Sequence, residues 1–386
     1  MNSGNKDICS DKNKGDGIIS KTDEQPRVAA IAENGDPFSL SVTNVCKGIA
    51  IILLLAHHLW QPSQPGQYPD WLRQFAINGK WCVSLFLVLS GYGLYKSGCG
   101  WIKTFVYRLP HMLINYWVVG LIFIPISILV FGQTLSRVYP HGKEWVFALQ
   151  AFGVNWIMPT RGFNPTWWFM NVIVPLYLMS PILFWIAKRN PFLLLMFSIL
   201  AMILPIKSSF WSVVKPWQLS FIYGMLLCEL DAFGRMRNRT NAILSCVLGI
   251  AGVCLAYAYR NSHLDYVGAI FIMLTTCALF ALFGKCAKMA FLPLEFIGIH
   301  SMNIFLIHTF FRYCWFKKFF DSQAPFVTFP LLLAASLLSS VAIEQMKRWI
   351  GLGKLFALLK RVGSARTREK WYNNVLTLDK KNRVYK

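Results

Sequence analysis

The chain has 386 residues, of which 55% are hydrophobic, and its 39 Lys and Arg against 17 Asp and Glu give a formal net charge of +22. Runs of about 16–22 apolar residues recur along most of the length, enough to cross a hydrocarbon core of about 30 Å. This composition excludes an ordinary soluble domain, and the lack of polar–apolar alternation disfavours a membrane barrel. The predicted fold class is therefore all-α, a polytopic transmembrane helical bundle.

The bundle is predicted to lie between two polar ends. Residues 1–40 lack the apolar run of a cleavable signal peptide, and we interpret them as a disordered cytoplasmic tail. Residues 41–346 form the predicted membrane domain, and residues 347–386 a basic cytoplasmic tail. About ten spans are predicted, at 43–60, 80–97, 110–131, 166–187, 191–206, 216–230, 241–259, 265–284, 298–316 and 326–345. Trp145–Met158 is too short to span comfortably and is interpreted as interfacial or re-entrant; if it crosses, the count becomes eleven.

Lys and Arg residues decide the orientation. The loops on the two sides carry ten and nine of them, whereas residues 347–386 carry twelve, so both termini are placed in the cytoplasm. This tail is expected to attract anionic lipid headgroups, and no nucleic-acid-binding module accompanies the charge. The alternative is that cytoplasmic cations, especially Lys96, Lys103 and Arg108, hold a polyanionic cofactor such as coenzyme A. Composition does not decide between them.

The first span carries two ionisable residues on one face. Ten residues separate Lys47 from His58. Eleven steps of about 100° make about three turns, so both side chains point the same way, about 16 Å apart along the axis. Ionisable groups at this depth mark functional sites by default, although a Lys that reaches the interface and a His that bonds a neighbouring helix also explain them. The His57 side chain points about 80° away from the face that carries Lys47, and we interpret it as a residue that packs against neighbouring groups or supports His58.

The second span is rich in small residues, and the cysteines carry no metal motif. Ser90, Gly91 and Gly93 predict a seam at which helices approach closely. The ten cysteines contain no Cys-x-x-Cys pair and are interpreted as structural thiols. No metal site is predicted.

Polar residues in two later spans leave alternatives open. Trp167 and Trp168 suit an aromatic belt at the membrane interface or a platform for a sugar ring. Asn171, one turn further on, either lines a cavity or bridges helices. Ser301 and His308 are seven residues apart and share a helix face. His308 either shares a cavity with the histidine of the first span or satisfies a backbone carbonyl.

Four segments of the sequence, taken in chain order, resemble the acyltransferase 3 family of integral membrane acyltransferases. The first two spans are similar to that family in the basic residue, ten residues and His, followed by an FFVLSG-type stretch at Leu85–Gly91. KTFVYRLPHMLINYW, residues 103–117, resembles a degenerate form of the family's basic loop. TWWFMNVIVPLYLMSP, residues 166–181, resembles its Trp-rich region, and FIGIHSMNIFLIH, residues 296–308, resembles its late segment of the form LGxxSYSIYLxH.

The sequence also departs from the family pattern. Lys47 stands where members often have Arg, which keeps the charge but loses the planar fork. Ser84 stands where many have Asp, so no acid role is assigned there. Met302 and Asn303 replace the usual Tyr and Ser. Some members carry an extracytoplasmic hydrolase-like domain after the spans; only about 40 residues follow the tenth predicted span here, so we expect the membrane domain or a separate partner to complete the transfer.

The resemblance implies an O-acyltransferase of the bacterial cytoplasmic (inner) membrane. It implies acetyl transfer from acetyl-CoA, which is a donor substrate and not a permanently bound cofactor, to a hydroxyl of a cell-surface polysaccharide or its lipid-linked precursor. Because acyl transfer needs a base for the hydroxyl proton, and His has the side-chain pKa nearest neutrality, we assign His58 that role. The other expected site residues are Lys47 and His308 in catalysis, Lys47, Lys103 and Arg108 in donor binding, and Ser90, Trp167, Trp168, Asn171 and Ser301 in substrate binding.

Two other functions are weighed against this one. A transporter or exporter of a small anionic metabolite also combines ten spans with intramembrane cations and imidazoles. A purely structural role beside glycan-assembly proteins is the third. Inverted repeats would favour the transporter, and the sequence contains no convincing pair of matching halves. The motifs of the first two spans favour the enzyme.

Overall fold

The computed structural model describes residues 37–61, 68–98, 100–139, 141–158, 160, 162–205, 207–259 and 264–364. Over these residues the chain is helical and contains no strand. Cys9, Cys99, the first 36 residues and residues 365–386 of the predicted basic tail lie outside the described residues. The eight described cysteines are free thiols.

The helices are numbered in chain order. They are α1 Leu40–Trp60, α2 Asp70–Asn78, α3 Trp81–Lys96, α4 Leu109–Leu129, α5 Leu135–Val138, α6 Val146–Ala151, α7 Met170–Arg189, α8 Pro191–Ile203, α9 Ser209–Val214, α10 Gln218–Glu229, α11 Arg239–Ala258, α12 Asp265–Phe283, α13 Lys285–Ala290, α14 Leu292–Ile299, α15 Ser301–Thr309, α16 Lys317–Ser322 and α17 Pro325–Trp349. Residues 352–364 form a further helix, α18. A short turn, Trp101–Lys103, and the π-helix Thr104–Arg108 lead into α4; the π-helix Phe310–Trp315 continues α15; and 3₁₀ turns cover Asn155–Ile157, Pro165–Phe169 and Gly234–Arg237.

The helical membrane bundle is confirmed, whereas the count of about ten spans is not. Among the described residues, seven helices are long and apolar enough to cross a membrane, or eight if the bent pair Leu292–Ile299 and Ser301–Trp315 forms one span. Each predicted span overlaps a helix. However, α8 and α10 have only 13 and 12 residues, and about 20 are needed for a complete crossing. The stretch Trp145–Met158 contains only α6 and a 3₁₀ turn, so it does not supply an eleventh helical span.

Local sequence sets where two of the helices begin. The Ser39 hydroxyl accepts a hydrogen bond from the Val42 N–H at the start of α1. The Asn190 side chain accepts one from the Leu193 N–H, and Pro191 occupies the first turn of α8. Both side chains satisfy an N–H group that the first helical turn leaves without a partner.

Helices α3 and α10 pack with their backbones in contact. A Cβ atom at Gly91 would lie 2.0 Å from the Phe221 carbonyl oxygen, and one at Gly224 would lie 2.0 Å from the Val88 carbonyl oxygen. Only glycine permits so close an approach. Gly93 is different, because it is exposed and a Cβ there would meet nothing within 4 Å. The predicted seam is therefore formed by Gly91 and not by Gly93.

Helices α1 and α14 cross in the same way. A Cβ atom at Gly48 would lie 2.0 Å from the Leu294 carbonyl oxygen, and one at Gly298 would lie 1.8 Å from that of Asn44. This contact fixes the start of the bent pair against the helix that carries Lys47.

Both ends of the described chain lie on the same side of the bundle. The Phe38 carbonyl, just before α1, accepts a hydrogen bond from Lys96 at 3.2 Å. Gly363 in α18 approaches Lys103, since a Cβ there would lie 3.6 Å from the Lys103 Cα. Lys96 and Lys103 belong to the same connection between α3 and α4, so the two chain ends are neighbours.

Candidate active site

Helix α1 connects two groups of polar side chains. Lys47 lies in its first half and His58 in its last turn. We call the corresponding ends of the bundle the Lys47 end and the His58 end. The described chain ends lie at the Lys47 end.

A cavity of about 800 Å³ opens at the Lys47 end. Four predicted site residues line it together, although they come from four separate parts of the sequence: Lys47, Ser90, Arg108 and Ser301. Further polar residues of its wall are His111, Asn303, Glu344, Lys347, Arg348 and Lys354.

The cavity is strongly cationic. Among the described residues, its charged lining side chains are Lys47, Arg108, Lys347, Arg348 and Lys354 against the single carboxylate of Glu344. That carboxylate is paired with Lys347 at 2.7 Å. Lys47 has no hydrogen bond or ion pair with a described residue, and the Arg108 Nε is buried without a partner there. Cations without counter-ions in a partly buried space favour an anionic ligand.

A 68° bend between α14 and α15 builds one wall of the cavity. Just after the bend, Asn303 Nδ2 donates to Ser340 Oγ at 3.0 Å and to Glu344 Oε1 at 2.8 Å, while its Oδ1 accepts from Lys347 at 3.3 Å. At the bend itself, His300 Nδ1 lies 2.9 Å from Ser340 Oγ. This network fixes the Glu344 carboxylate and the Lys347 ammonium at the cavity wall.

Helix α18 borders the cavity on the side of the chain ends. The turn from α17 to α18 passes through Gly351, whose φ of +73° suits glycine. Lys354 and Phe356 then line the cavity, and the Phe356 ring lies 4.2 Å from that of His111.

Two histidines meet at the His58 end. The ring centroids of His58 and His308 are 5.0 Å apart. His308 is fully buried, and its Nδ1 lies 3.0 and 2.9 Å from the carbonyl oxygens of Ile304 and Phe305. Since carbonyls only accept, Nδ1 carries the proton and Nε2 the lone pair in the neutral ring. That Nε2 is buried without a hydrogen-bond partner among the described residues.

The carbonyl of His58 is held by the π-helical continuation of α15. Arg312 Nε donates to it at 3.2 Å and the Tyr313 hydroxyl at 2.8 Å. Carbonyl groups in the last turn of a helix lack intrahelical partners, so both donors cap α1. Arg312 Nη2 also pairs with Asp321 at 2.8 Å. The neighbouring His57 bonds the Ala76 carbonyl at 2.9 Å, in keeping with a packing role.

Three phenylalanine rings lie between the cavity and the histidine pair. Phe305 lines the cavity, and its ring centroid is 6.3 Å from that of His308. Phe86 and Phe169 also line the cavity and pack on Phe305 at 5.7 and 4.9 Å. Neither histidine is a lining residue of this cavity. The rings therefore close the end of the cavity nearest to the histidine pair.

The acyltransferase domain model of the acyltransferase 3 type matches residues 43–345, most of the chain. The chain belongs to the acyltransferase 3 family. It is a membrane acyltransferase, and the predicted resemblance is confirmed. No curated protein and no solved structure matches the chain.

The acyltransferase 3 match contains both ends of the site but not all of the cavity. Lys47, His58, His308 and Glu344 lie within the matched range. Lys347, Arg348 and helix α18 follow it. The cavity of this acyltransferase 3 member is therefore completed by residues beyond the family's domain.

Two residues predicted to contact ligands hold other parts of the protein in place. The Lys103 ammonium donates to the Ser97 carbonyl at 2.8 Å and is not a cavity-lining residue. Asn171 Oδ1 accepts from the Asn155 N–H at 2.7 Å. It thereby holds the connection before α7 against that helix, and Asn171 is not a lining residue of the cationic cavity.

The two predicted tryptophans differ in their surroundings. Trp167 is buried, and its indole N–H donates to the Leu306 carbonyl at 3.0 Å. Trp168 is 37% exposed and its ring lies 5.3 Å from that of Trp217. Neither lines the cationic cavity.

Sequence reasoning missed several residues of the site. The sequence assigns no role to His111, Asn303, Glu344 or Lys347. Asn303 offered a signal, since it replaces the family's usual Ser in the late segment. Arg312 offered another, because it follows His308 by four residues and so shares its face of the helix.

Proposed function

We propose that this membrane acyltransferase transfers an acetyl group from acetyl-CoA to a hydroxyl of a cell-surface polysaccharide or of its lipid-linked precursor. The observation that carries the proposal is the division of α1 between a cationic cavity around Lys47 and a histidine pair around His58. Each half suits one part of the reaction.

The cavity suits the nucleotide part of the donor. Coenzyme A carries three phosphates, and five cations oppose one carboxylate in the wall. Lys47 and Arg108 have unused positive charge toward this space, so we assign them the main contribution to donor affinity. Lys347, Arg348 and Lys354 contribute at the mouth.

The histidine pair suits the chemistry. His58 takes the proton of the acceptor hydroxyl while the hydroxyl oxygen attacks the thioester carbonyl carbon. The C–S bond then breaks, and the proton passes to the leaving thiolate. His308, with an unoccupied Nε2 lone pair beside the His58 ring, supports the proton transfer.

The spacing along α1 supports approach of the two substrates from opposite faces. Eleven residues correspond to about 16 Å of helix, a gap that an extended pantetheine arm reaches across. The phosphates stay at the Lys47 end, because burying them without cations would be strongly unfavourable. The thioester enters past the phenylalanine rings toward His58. On this proposal the protein lies in a bacterial inner membrane, and its Lys47 end and both termini face the cytoplasm.

Mass spectrometry of surface polysaccharides tests the reaction. Cells with the gene, without it, and with His58→Ala or His141→Ala are compared; His141 is an exposed histidine far along the chain and serves as the control. Loss of an acetyl mass in the deletion and in His58→Ala, but not in His141→Ala, is expected. An unchanged glycan together with altered export of a small metabolite would instead favour a transporter.

A two-sided vesicle assay tests the arrangement. Acetyl-CoA is confined to the compartment facing the Lys47 end and the acceptor to the other compartment. Orientation is read from labelling of Ser364→Cys and Ser322→Cys by an impermeant thiol reagent, with the unsubstituted protein as background. Transfer only when both substrates share the His58 side would contradict transfer through the membrane but leave the enzyme assignment intact.

A further inference from the structure

Arg312 has donor capacity that its structural role does not use. The side chain is 4% exposed. Its Nε bonds the His58 carbonyl and its Nη2 pairs with Asp321, whereas Nη1 is buried without a hydrogen-bond partner among the described residues. Leaving such a donor unpaired is unfavourable, so its retention in the site favours a ligand atom that accepts from it.

Capping of α1 does not require the guanidinium group as a whole. The His58 carbonyl already accepts from the Tyr313 hydroxyl at 2.8 Å, a shorter contact than that with Arg312. A guanidinium presents five N–H donors in a rigid fork. When Nε and Nη2 are held by His58 and Asp321, the direction of Nη1 is fixed as well.

The charge around Arg312 is not fully neutralised. Asp321 is paired with Lys317 as well as with Arg312, so one carboxylate faces two cations. Counting the described ion pairs alone, a net positive charge remains beside the last turn of α1. It is suited to a negative charge that forms close to His58.

An unused acceptor accompanies this unused donor. His308 Nε2 and Arg312 Nη1 are both buried and unpaired among the described residues. His308 and Arg312 are four residues apart, and both touch His58, one through its ring and the other through its carbonyl. A proton acceptor and a fixed cationic donor around one histidine are the two groups that acyl transfer requires.

We propose that Arg312 is a further catalytic residue, whose Nη1 donates to the thioester carbonyl oxygen as it becomes an oxyanion. This rests on the function proposed above. The acceptor hydroxyl oxygen bonds to the carbonyl carbon, and the C=O electron pair moves onto the carbonyl oxygen beside Arg312. The hydroxyl proton goes to His58. When the C=O bond re-forms, the C–S bond breaks, and the thiolate leaves and takes up that proton.

Steady-state kinetics of Arg312→Gln and Tyr313→Phe test the assignment. Tyr313→Phe is the matched control, because it removes a donor to the same His58 carbonyl, together with the 3.5 Å contact of that hydroxyl with His58 Nδ1, and leaves the guanidinium in place. We expect Arg312→Gln to lower kcat by about 10²–10³-fold with both KM values nearly unchanged, as for loss of an oxyanion donor. Tyr313→Phe should stay within a few-fold of wild type.

Chemical rescue gives a second measurement. Added guanidine should restore part of the kcat of Arg312→Ala and leave Tyr313→Phe unaffected. Arg312→Lys, which keeps the charge, covers the case in which the smaller side chains do not fold; it should be folded and slow, since one ammonium cannot serve Asp321, the His58 carbonyl and the oxyanion together.

The outcomes separate this proposal from the one on which it rests. Equal losses of kcat in Arg312→Gln and Tyr313→Phe, or the absence of rescue by guanidine, would show that Arg312 only caps α1. A raised acceptor KM at unchanged kcat would make it a binding residue for the acceptor. If wild type and Tyr313→Phe transfer no acetyl group at all, the proposed function fails instead.

Discussion

The two ends of α1 differ in how their polar groups are satisfied. At the Lys47 end, five cations and one carboxylate among the described residues line a cavity of about 800 Å³, and that carboxylate pairs with Lys347. At the His58 end, two histidines and one arginine are packed among aromatic rings, and single atoms of His308 and Arg312 have no hydrogen-bond partner in the described part of the chain. The first arrangement suits binding of a large anion, and the second suits stabilisation of small charges that move during a reaction.

This difference indicates a division of work along one helix. Surplus charge in an open space raises affinity for an anion in the ground state and in the transition state alike, so it lowers KM. Fixed donors and acceptors in a closed space act on charge that appears only in the transition state, so they raise kcat. Substitutions at the two ends should therefore change different kinetic constants.

The largest effect is expected at the histidine pair. His58→Ala should lower kcat by about 10²–10⁴-fold, the usual contribution of general base catalysis, with the KM for acetyl-CoA nearly unchanged. His308→Ala should also lower kcat, because it removes the lone pair beside the base. Initial rates in proteoliposomes measure both, with His141→Ala as the control. Wild-type rates in His58→Ala would remove the base assignment.

A smaller effect is expected at the cavity. Lys47→Ala and Arg108→Ala should each raise the KM for acetyl-CoA by about tenfold, as for loss of one charge-assisted contact of about 1.4 kcal/mol, with less change in kcat. Lys47→Arg keeps the charge and should be partly active. Lys207→Ala, at an exposed position outside the cavity, is the matched control. A fall in kcat at constant KM would show that these cations act in the chemical step. It would contradict the separation of binding and catalysis between the two ends of α1.

The glycine contact between α3 and α10 supports the cavity wall that carries Ser90. Gly91→Ala should destabilise the protein by about 1–3 kcal/mol, because its Cβ would meet the Phe221 carbonyl oxygen at 2.0 Å. Gly93→Ala, where nothing lies within 4 Å, should leave the thermal transition in detergent unchanged. Equal transitions for the two variants would show that these helices separate at little cost.

The smallest effect is expected at Asp321, which lies in α16 outside the spans. Burial raises the pKa of this carboxyl, but hydrogen bonds and charges from Lys317 and Arg312 outweigh burial and hold the pKa below its usual value. A pKa depressed on folding stabilises the protein above the unfolded value, about 3.9, and the stabilisation is lost as the pH falls through the folded value.

Thermal unfolding of wild type and Asp321→Asn across this acid range measures the effect. The variant should unfold at a lower temperature near neutral pH, and the two curves should converge in acid. The difference in unfolding temperature between the two proteins should be small, since Asp321 is 39% exposed and solvent screens its ion pair with Arg312. A gap that grows in acid would contradict the assigned direction.

Features that depend on neighbours in the sequence could be predicted. The apolar runs located the helices, helical periodicity placed Lys47 and His58 on one side of α1, and Gly91 was expected at a close contact. The bend of 68° at His300 was missed, because it lies at the start of the predicted span 298–316 and hydropathy carries no information about the direction of a helix.

Features that depend on distant helices could not be predicted. Glu344 and Lys347 meet Asn303 across about 40 residues, and Arg312 reaches the His58 carbonyl across 254. Such contacts follow from the packing order of the helices, which composition does not specify. Trp167 likewise gave the signal of an interface residue, whereas the Leu306 carbonyl holds it inside the bundle.

The position of the cations has a consequence for turnover. Lys47 lies about 16 Å of helix away from His58, and Arg108 lines the same cavity as Lys47. On the proposed function both contact the portion of the donor that acyl transfer leaves unaltered. These two cations cannot distinguish acetyl-CoA from free coenzyme A. Free coenzyme A should therefore compete with acetyl-CoA at similar concentrations. Release of coenzyme A should limit the turnover rate once the chemical step is fast. The ratio of acetyl-CoA to free coenzyme A should then set the turnover rate.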